Sequence, residues 1–514
     1  MSIDATGVIL LVVALGVLLV TWIGIQGGAA ASKSFEGWVL NSRLMGPLLV
    51  WFLLGTEIYT AFTFLGLAGF AYAKGGGVFY NVGTNDVGYA LGFFVLPALW
   101  LLGKRFDYVT QADFLADRYQ SRSFGIFVAI ATALIMIAYI DLNIEGLGAV
   151  LNVVTGGRIN LPASEMIGFA VLALAVFFGG IRGNALQSVI KDVLMFIAIG
   201  TLFFVVPLRF FGGFGPMFHR LATEIPVRIT MPGPSHKLGN LWFATTVLLT
   251  GLGMWMWPQW FGVAFTAKGP RTLKLQAVFM PLYQIVKVAV ITIGFAAILV
   301  FAGQKVAGNN VVMLLALRAF PTWFMALFAL AAVLSALVPA GPIIVTSCTL
   351  LARNFYAKFR PDAGEGGVFR LSRWLVFPLT AAALYLALAA PSLIVVVLLV
   401  AYDFIAQLVP AVVVGGLFWR RATLAGAVSG LFVGWAISAV LLITRHDPLF
   451  GVNAGFIALC ANFVVFFAVS LVTKPVDRAA VERLFATVYR EAAGTGGAGL
   501  AAAGERARAA PARD

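Results

Sequence analysis

The chain has 514 residues, 61% of them hydrophobic and only 11% charged, with a mean hydropathy of +0.97. A soluble protein carries about 25% charged residues, so a soluble domain is excluded and the composition indicates an all-α polytopic membrane protein. The formal charge of +14 does not imply a nucleic-acid partner, because the basic residues fall between apolar runs and form no stripe.

Thirteen apolar runs, each near the ~20 residues that a bilayer demands, read as spans at approximately 6–26, 46–72, 86–103, 124–152, 162–180, 186–212, 240–266, 275–302, 321–352, 371–390, 393–419, 423–443 and 453–473. The first has the length of a true span and no basic leader, so it is expected as a peripheral helix (1–27) and not as a cleaved signal. The second carries Gly55-Thr56-Glu57-Ile58-Tyr59-Thr60 at its middle. A carboxylate at membrane depth costs about 2.5–3.5 kcal/mol on insertion scales. A glycine and three hydroxyl side chains around it suit a helix interrupted at mid-membrane, with freed backbone lining a cavity. A polar face packed against neighbouring helices is the plainer alternative.

In the fourth span Asp141 and Glu145 stand four apart on one helix face, with Asn143 between them. Two ionised acids there repel, and a site that neutralises one of them behaves as a proton carrier. The pair could equally neutralise a lysine or a cationic substrate, or reach water in a vestibule. The sixth span holds Lys191 next to Asp192. The seventh is interrupted too: in Gly251-Leu-Gly-Met-Trp-Met-Trp-Pro-Gln-Trp-Phe-Gly262, Pro258 removes a backbone donor and clashes with the preceding turn. An interfacial belt of Trp255, Trp257 and Trp260 is the alternative. Lys287 in the eighth span and Asp403 in the eleventh raise the same questions and rank behind Glu57, Asp141, Glu145 and Lys191.

The second and seventh spans are five apart and cross in opposite directions. Two broken helices in corresponding positions of two inverted halves point to a transporter's substrate site. The expected organisation is a first repeat at 44–213, a second at 240–420 and peripheral spans at 421–474. A cytoplasmic amphipathic helix at 475–490 follows, with Val481, Leu484, Phe485 and Val488 at helical spacing, and then a disordered tail at 491–514. The loops holding Arg43, Lys104, Lys268, Arg353 and Arg420 are the richer in basic residues. That puts them and the C-terminus in the cytoplasm and the N-terminus outside, in a bacterial-type cytoplasmic membrane. Cys348 and Cys460 lie in apolar segments and imply no disulfide framework, and the three histidines offer no metal-ligand spacing.

Several stretches carry a resemblance. Thr110-Gln-Ala-Asp-Phe-Leu-Ala-Asp-Arg-Tyr119, Gly179-Gly-Ile-Arg-Gly183 with Val193-Leu-Met195, Leu351-Ala-Arg-Asn-Phe-Tyr356, and Gln407-Leu-Val-Pro-Ala411 through Gly416-Leu-Phe-Trp-Arg-Arg-Ala-Thr423 resemble the sodium:solute symporter family over spans 2 to 12. The resemblance implies the five-plus-five inverted-repeat core of the leucine-transporter fold and a secondary active transporter, not an enzyme. Gly55-Thr-Glu-Ile-Tyr-Thr-Ala-Phe-Thr-Phe64 and Ile190-Lys-Asp192 are most similar to the monocarboxylate permease branch, so the implied solute is a small organic anion. The acidic residues argue the other way, toward an amino acid or amine.

The chain departs from the family at the sodium site. Sodium-coupled members carry a Thr-Asp pair where Gln187 and Ser188 stand, a Gln at Lys191, and two hydroxyl residues where the register puts Val338 and Pro339. Sodium needs several hard oxygen ligands, so its site is expected to be lost at Ser188, Val338 and Pro339; a shifted register would bring in Ser335 or Thr346. Lys191 would then stand as a fixed cation able to exchange a proton, or would snorkel to the interface. The resemblance-based picture places substrate contacts at Thr56, Glu57, Tyr59, Thr60, Asn143, Trp255, Trp257 and Gln259. It places ion coupling at Glu57, Asp141, Glu145, Ser188, Lys191 and Asp192, with H+ ahead of Na+, and calls for no cofactor. A sodium-coupled amino-acid or amine symporter and a solute sensor on the same fold are the alternatives.

Overall fold

The computed structural model describes residues 3–28, 34–178, 181–234, 236–389 and 394–489. The expected tail at 491–514 and the Gly179-Gly180 pair lie outside them. Among the described residues the chain is 86% helical and has no strands. Among the described residues ten helices are long and apolar enough to cross a membrane; the shorter Pro47–Ile58 and Leu161–Phe178 and the interrupted pair Asn240–Gly253 and Pro258–Thr266 complete the thirteen expected crossings.

Both expected interruptions are present. Pro47 starts the second span at the first helical position, where its missing N–H costs nothing. The helix stops at Ile58, because Tyr59 leaves helical geometry at φ −106°, ψ 69°. The chain resumes as a π-helical turn, Phe62–Gly66, and the hydroxyl of Thr60 accepts the N–H of Phe62 across the break. In the seventh span a 3₁₀ turn, Met254–Met256, leads to Trp257 in extended conformation (φ −66°, ψ 122°), as expected of a residue before proline. Pro258 then opens the second half-helix. Five crossings separate the two breaks, so the broken spans run in opposite senses. Their ends meet on the basic face, where Met45 and Lys268 exchange backbone hydrogen bonds with Thr266 and Met45 (3.1 and 2.8 Å).

The third span differs from the expectation. Its helix is Tyr80–Phe106 and takes in the polar run that the sequence reading leaves in a loop. Asn81, Thr84 and Asn85 are buried there, and Thr84 meets Thr250 of the seventh span hydroxyl to hydroxyl at 2.5 Å. The turn before it needs glycine: Gly75 has φ +83°, and a Cβ there would overlap the carbonyl of Arg228. The 214–238 segment, with its helix Phe214–Glu224, folds back over this end of the second span, where Arg228 donates to the Tyr72 carbonyl at 3.0 Å.

The first span packs on the sixth and ninth and leaves Leu11, Leu15, Leu18 and Trp22 more than half exposed, as lipid-facing residues are. The twelfth and thirteenth pair with each other. The helix at 478–489 lies against the protein, with Val481, Leu484 and Phe485 buried.

Candidate functional site

The second-span break is the centre around which buried polar groups collect, and Tyr59 touches most of them. Its carbonyl, freed from the helix, accepts the Lys191 ammonium at 2.5 Å. The same ammonium pairs with Asp192 Oδ1 at 2.7 Å, and Asp192 Oδ2 accepts the Tyr283 hydroxyl at 2.7 Å. Lys191 and Asp192 are both at 0% exposure. Tyr283 stacks on the Tyr59 ring, centroids 4.8 Å apart. Gly55 makes room for it, since a Cβ there would overlap the phenol.

The hydroxyl of Tyr59 belongs to a second network, with Tyr89 (3.2 Å), Asn85 (3.2 Å) and Gln284 (3.4 Å). Lys287 lies over the Tyr59 ring, its ammonium 5.2 Å from the centroid, and donates to the Asn81 carbonyl at 3.1 Å. Lys287 is buried and makes no ion pair among the described residues. Two ammonium groups, from the sixth and eighth spans, thus converge on one tyrosine at the break.

Glu57 is fully buried, and neither of its carboxylate oxygens has a hydrogen-bond partner. Its carbonyl accepts the Tyr139 hydroxyl (3.1 Å) and the Trp260 indole N–H (3.4 Å), which ties the fourth and seventh spans to the second. Trp257 stands edge-on to Tyr139 and Tyr402, at 4.9 and 5.3 Å. Gln259 is buried with both amide atoms unpartnered, and the Oδ1 of Asn143 is unpartnered as well. Buried polar atoms are normally satisfied, so Glu57, Gln259 and Asn143 stand out as buried groups of the second, seventh and fourth spans with unused hydrogen-bonding capacity. Thr56 and Thr60 are buried as well.

The remaining candidates fall elsewhere. Trp255 donates to the Gly88 carbonyl at 2.6 Å and so braces the third span. Asp141 and Glu145 lie on the other side of their helix. At about 100° per residue, Asp141 is roughly 200° from Tyr139. Gly146 on the Tyr139 side abuts Ala61, whereas Gly148, in line with the acids, abuts Glu165 of the fifth span. At the expected sodium position Ser188 bonds back to the Asn184 carbonyl (2.9 Å), the Val338 carbonyl accepts the Asn184 amide (2.7 Å), and Pro339 is buried.

Sequence reasoning missed Asn85, Tyr89, Tyr139, Trp260, Tyr283 and Tyr402 and ranked Lys287 low. One signal was available: Tyr283, Gln284 and Lys287 fall on one face of an apolar span.

A membrane-spanning helical chain with two interrupted helices of opposite sense around a buried polar centre is a secondary transporter of the leucine-transporter fold. The fold is that of a Na+-coupled sialic acid symporter, with a TM-score of 0.76 at 13% identity over 91% of this chain and 98% of that one. The chain belongs to the sodium:solute symporter family, whose match covers residues 38–434. It is 34% identical to an uncharacterized symporter of Bacillus subtilis (strain 168), YhjB, over 92% of this chain and 99% of that one. It is 28% identical to a monocarboxylate transport permease protein of Rhizobium johnstonii, over 85% of this chain and 90% of the relative.

Proposed function

We propose that this chain carries a small monocarboxylate together with a proton across the cytoplasmic membrane, with its N-terminus outside and its basic face inside. The observation that carries the reading is the Lys191 ammonium on the Tyr59 carbonyl. A broken helix frees backbone oxygens that can hold a mobile cation; here a fixed one takes the oxygen, and Asp192 balances it. That leaves Glu57, whose carboxylate has no hydrogen-bond partner, and Lys287, which makes no ion pair among the described residues, as the buried charges near the break that a solute and a proton could neutralise. A carboxylate on Lys287 and a proton on Glu57 compensate both, so solute and proton enter together, and each makes burial of the other less costly. Trp257, Tyr139 and Tyr402 form the apolar walls, with Gln259 and Asn143 as directional polar contacts. Residues 44–213 and 240–420 serve as the two inverted halves, and alternating access comes from one bundle rocking against the other. The relative named as a monocarboxylate transport permease supports the solute class.

One observation favours a second reading. The unpartnered carboxylate of Glu57 also suits the ammonium of an amino acid or amine, with sodium as the coupling ion. Uptake by proteoliposomes separates the two, with labelled pyruvate, lactate and amino acids under pH and sodium gradients imposed one at a time at zero membrane potential. Pyruvate or lactate accumulation driven by an inward proton gradient without sodium, and lost in Lys191→Met, is the expected result. Sodium-driven uptake with no response to pH would overturn it.

A further inference from the structure

The face bearing the basic loops is closed by a strap. The helix Gln111–Arg118, between the third and fourth spans, is fastened at both ends. At its start Thr110 donates to Asn354 Oδ1 (2.9 Å), Asn354 donates to Asp113 (2.7 Å) and Arg353 pairs with Asp113 (3.2 Å), all at the end of the ninth span. At its finish Arg118, fully buried, donates to the Gly415 and Trp419 carbonyls (2.7 and 3.2 Å), and Tyr119 donates to that of Ala411 (2.9 Å), all in the eleventh span or just after it. Beside the start of the strap a small enclosed space is lined by Thr110, Ile181, Gln259, Val263, Thr346 and Thr349. On the alternating-access reading, a solute passing from Gln259 toward this face would cross that space, and release of the strap would open the way out.

The C-terminal helix lies across the strap and the eleventh span together. Arg483 grips Asp117 of the strap with two hydrogen bonds (2.6 and 2.8 Å) and covers the Phe106 ring. Phe485 packs under the guanidinium groups of Arg118 and Arg420, and Glu482 pairs with Arg420 at 3.0 Å. Tyr489 donates to the Leu417 carbonyl at 3.1 Å. Its apolar residues, which the sequence alone assigns to a membrane surface, are spent on this joint.

We propose that residues 478–489 are a built-in clip that holds the gate on this face shut, so that detaching the clip favours opening. The proposal rests on the alternating-access reading. Its test uses neither solute nor ion, so its failure leaves the transport assignment untouched. Thr349→Cys, placed in a Cys348→Ser, Cys460→Ser background, reports on the enclosed space through its rate of reaction with a maleimide in lipid nanodiscs. A chain ended after Lys474, Phe485→Ala and Arg483→Glu are compared with the full chain. The clip predicts labelling at least about tenfold faster in all three, which corresponds to about 1.4 kcal/mol. Adding Asp117→Lys to Arg483→Glu should restore slow labelling, a rescue that general loosening of the fold would not give. Unchanged labelling in Phe485→Ala and Arg483→Glu, with both variants monodisperse, overturns the proposal. Should the shortened chain fail to fold, the two point variants and the rescue decide alone.

Discussion

Lys287 isolates a single charge whose contribution can be measured. Its ammonium has three donors and one observed acceptor, the Asn81 carbonyl, with the Tyr59 ring beneath it. A carboxylate supplied by the solute would make a charge-assisted bond, and such bonds contribute about 1.5–3 kcal/mol. Lys287→Ala is therefore expected to weaken binding of a monocarboxylate by about ten- to a hundred-fold, while leaving the uncharged amide of the same acid almost unaffected. Radioligand binding to purified protein measures both. An equal loss for acid and amide would assign the lysine to packing and not to recognition. Lys191 is a different case, because it already has a partner: removing it strands Asp192 as an uncompensated buried charge, so its loss is expected to affect folding as well as transport. The sequence showed both lysines but not this difference. Spacing along the chain says that Lys191 is beside Asp192; it does not say that Tyr283, from two spans further on, completes the triad.

At the level of the element, the breaks were legible because their causes are local. Pro258 and the residue before it set the second interruption, and Gly55 and Thr60 prepare the first. The third span was legible only in part. Asn81, Thr84 and Asn85 read as loop residues by polarity, yet they are buried, and the Thr84 hydroxyl, the Asn85 amide and the Asn81 backbone carbonyl meet partners from the seventh, second and eighth spans that no local rule reveals. The direction of the Asp141–Glu145 face was likewise invisible, since helical spacing fixes which residues share a face and not which neighbour the face meets. The close approach at Gly55 gives a test at this scale. Gly55→Ala drives a methyl into the Tyr283 ring, which cannot retreat easily while Asp192 holds its hydroxyl. Overpacking of this kind costs about 1–3 kcal/mol. Gly200→Ala in the sixth span meets nothing within 4 Å and stabilises the helix by up to about 1 kcal/mol. Thermal unfolding in one detergent should move the two substitutions in opposite directions; a neutral Gly55→Ala would mean that the tyrosine stack is looser than the close approach implies.

For the whole molecule, the resemblance and the hydropathy pattern gave the architecture, while the charge balance of the site comes only from the packing of the second, sixth and eighth spans. On the proposed reading, that balance would link solute and proton thermodynamically. If a carboxylate binds best when Glu57 carries a proton, then by reciprocity the proton binds best when the carboxylate is present. Lowering the pH raises the fraction of protonated Glu57, so apparent affinity should rise as pH falls, by at most about tenfold per unit for one linked proton. A ligand that binds only the folded state stabilises it by RT ln(1 + [L]/Kd), so tighter binding at fixed concentration stabilises more. Pyruvate at fixed concentration should therefore raise the melting temperature more at about pH 6 than at about pH 8. In Glu57→Gln, which fixes the protonated shape, the increment should be the same at both values. A slope that survives in Glu57→Gln would move the coupling proton to another buried acid, and Asp141, on the same face of the fourth span as the Gly148–Glu165 contact, is the next group to substitute. Equal increments in the wild type would remove proton coupling altogether and leave the sodium-coupled reading of the same site.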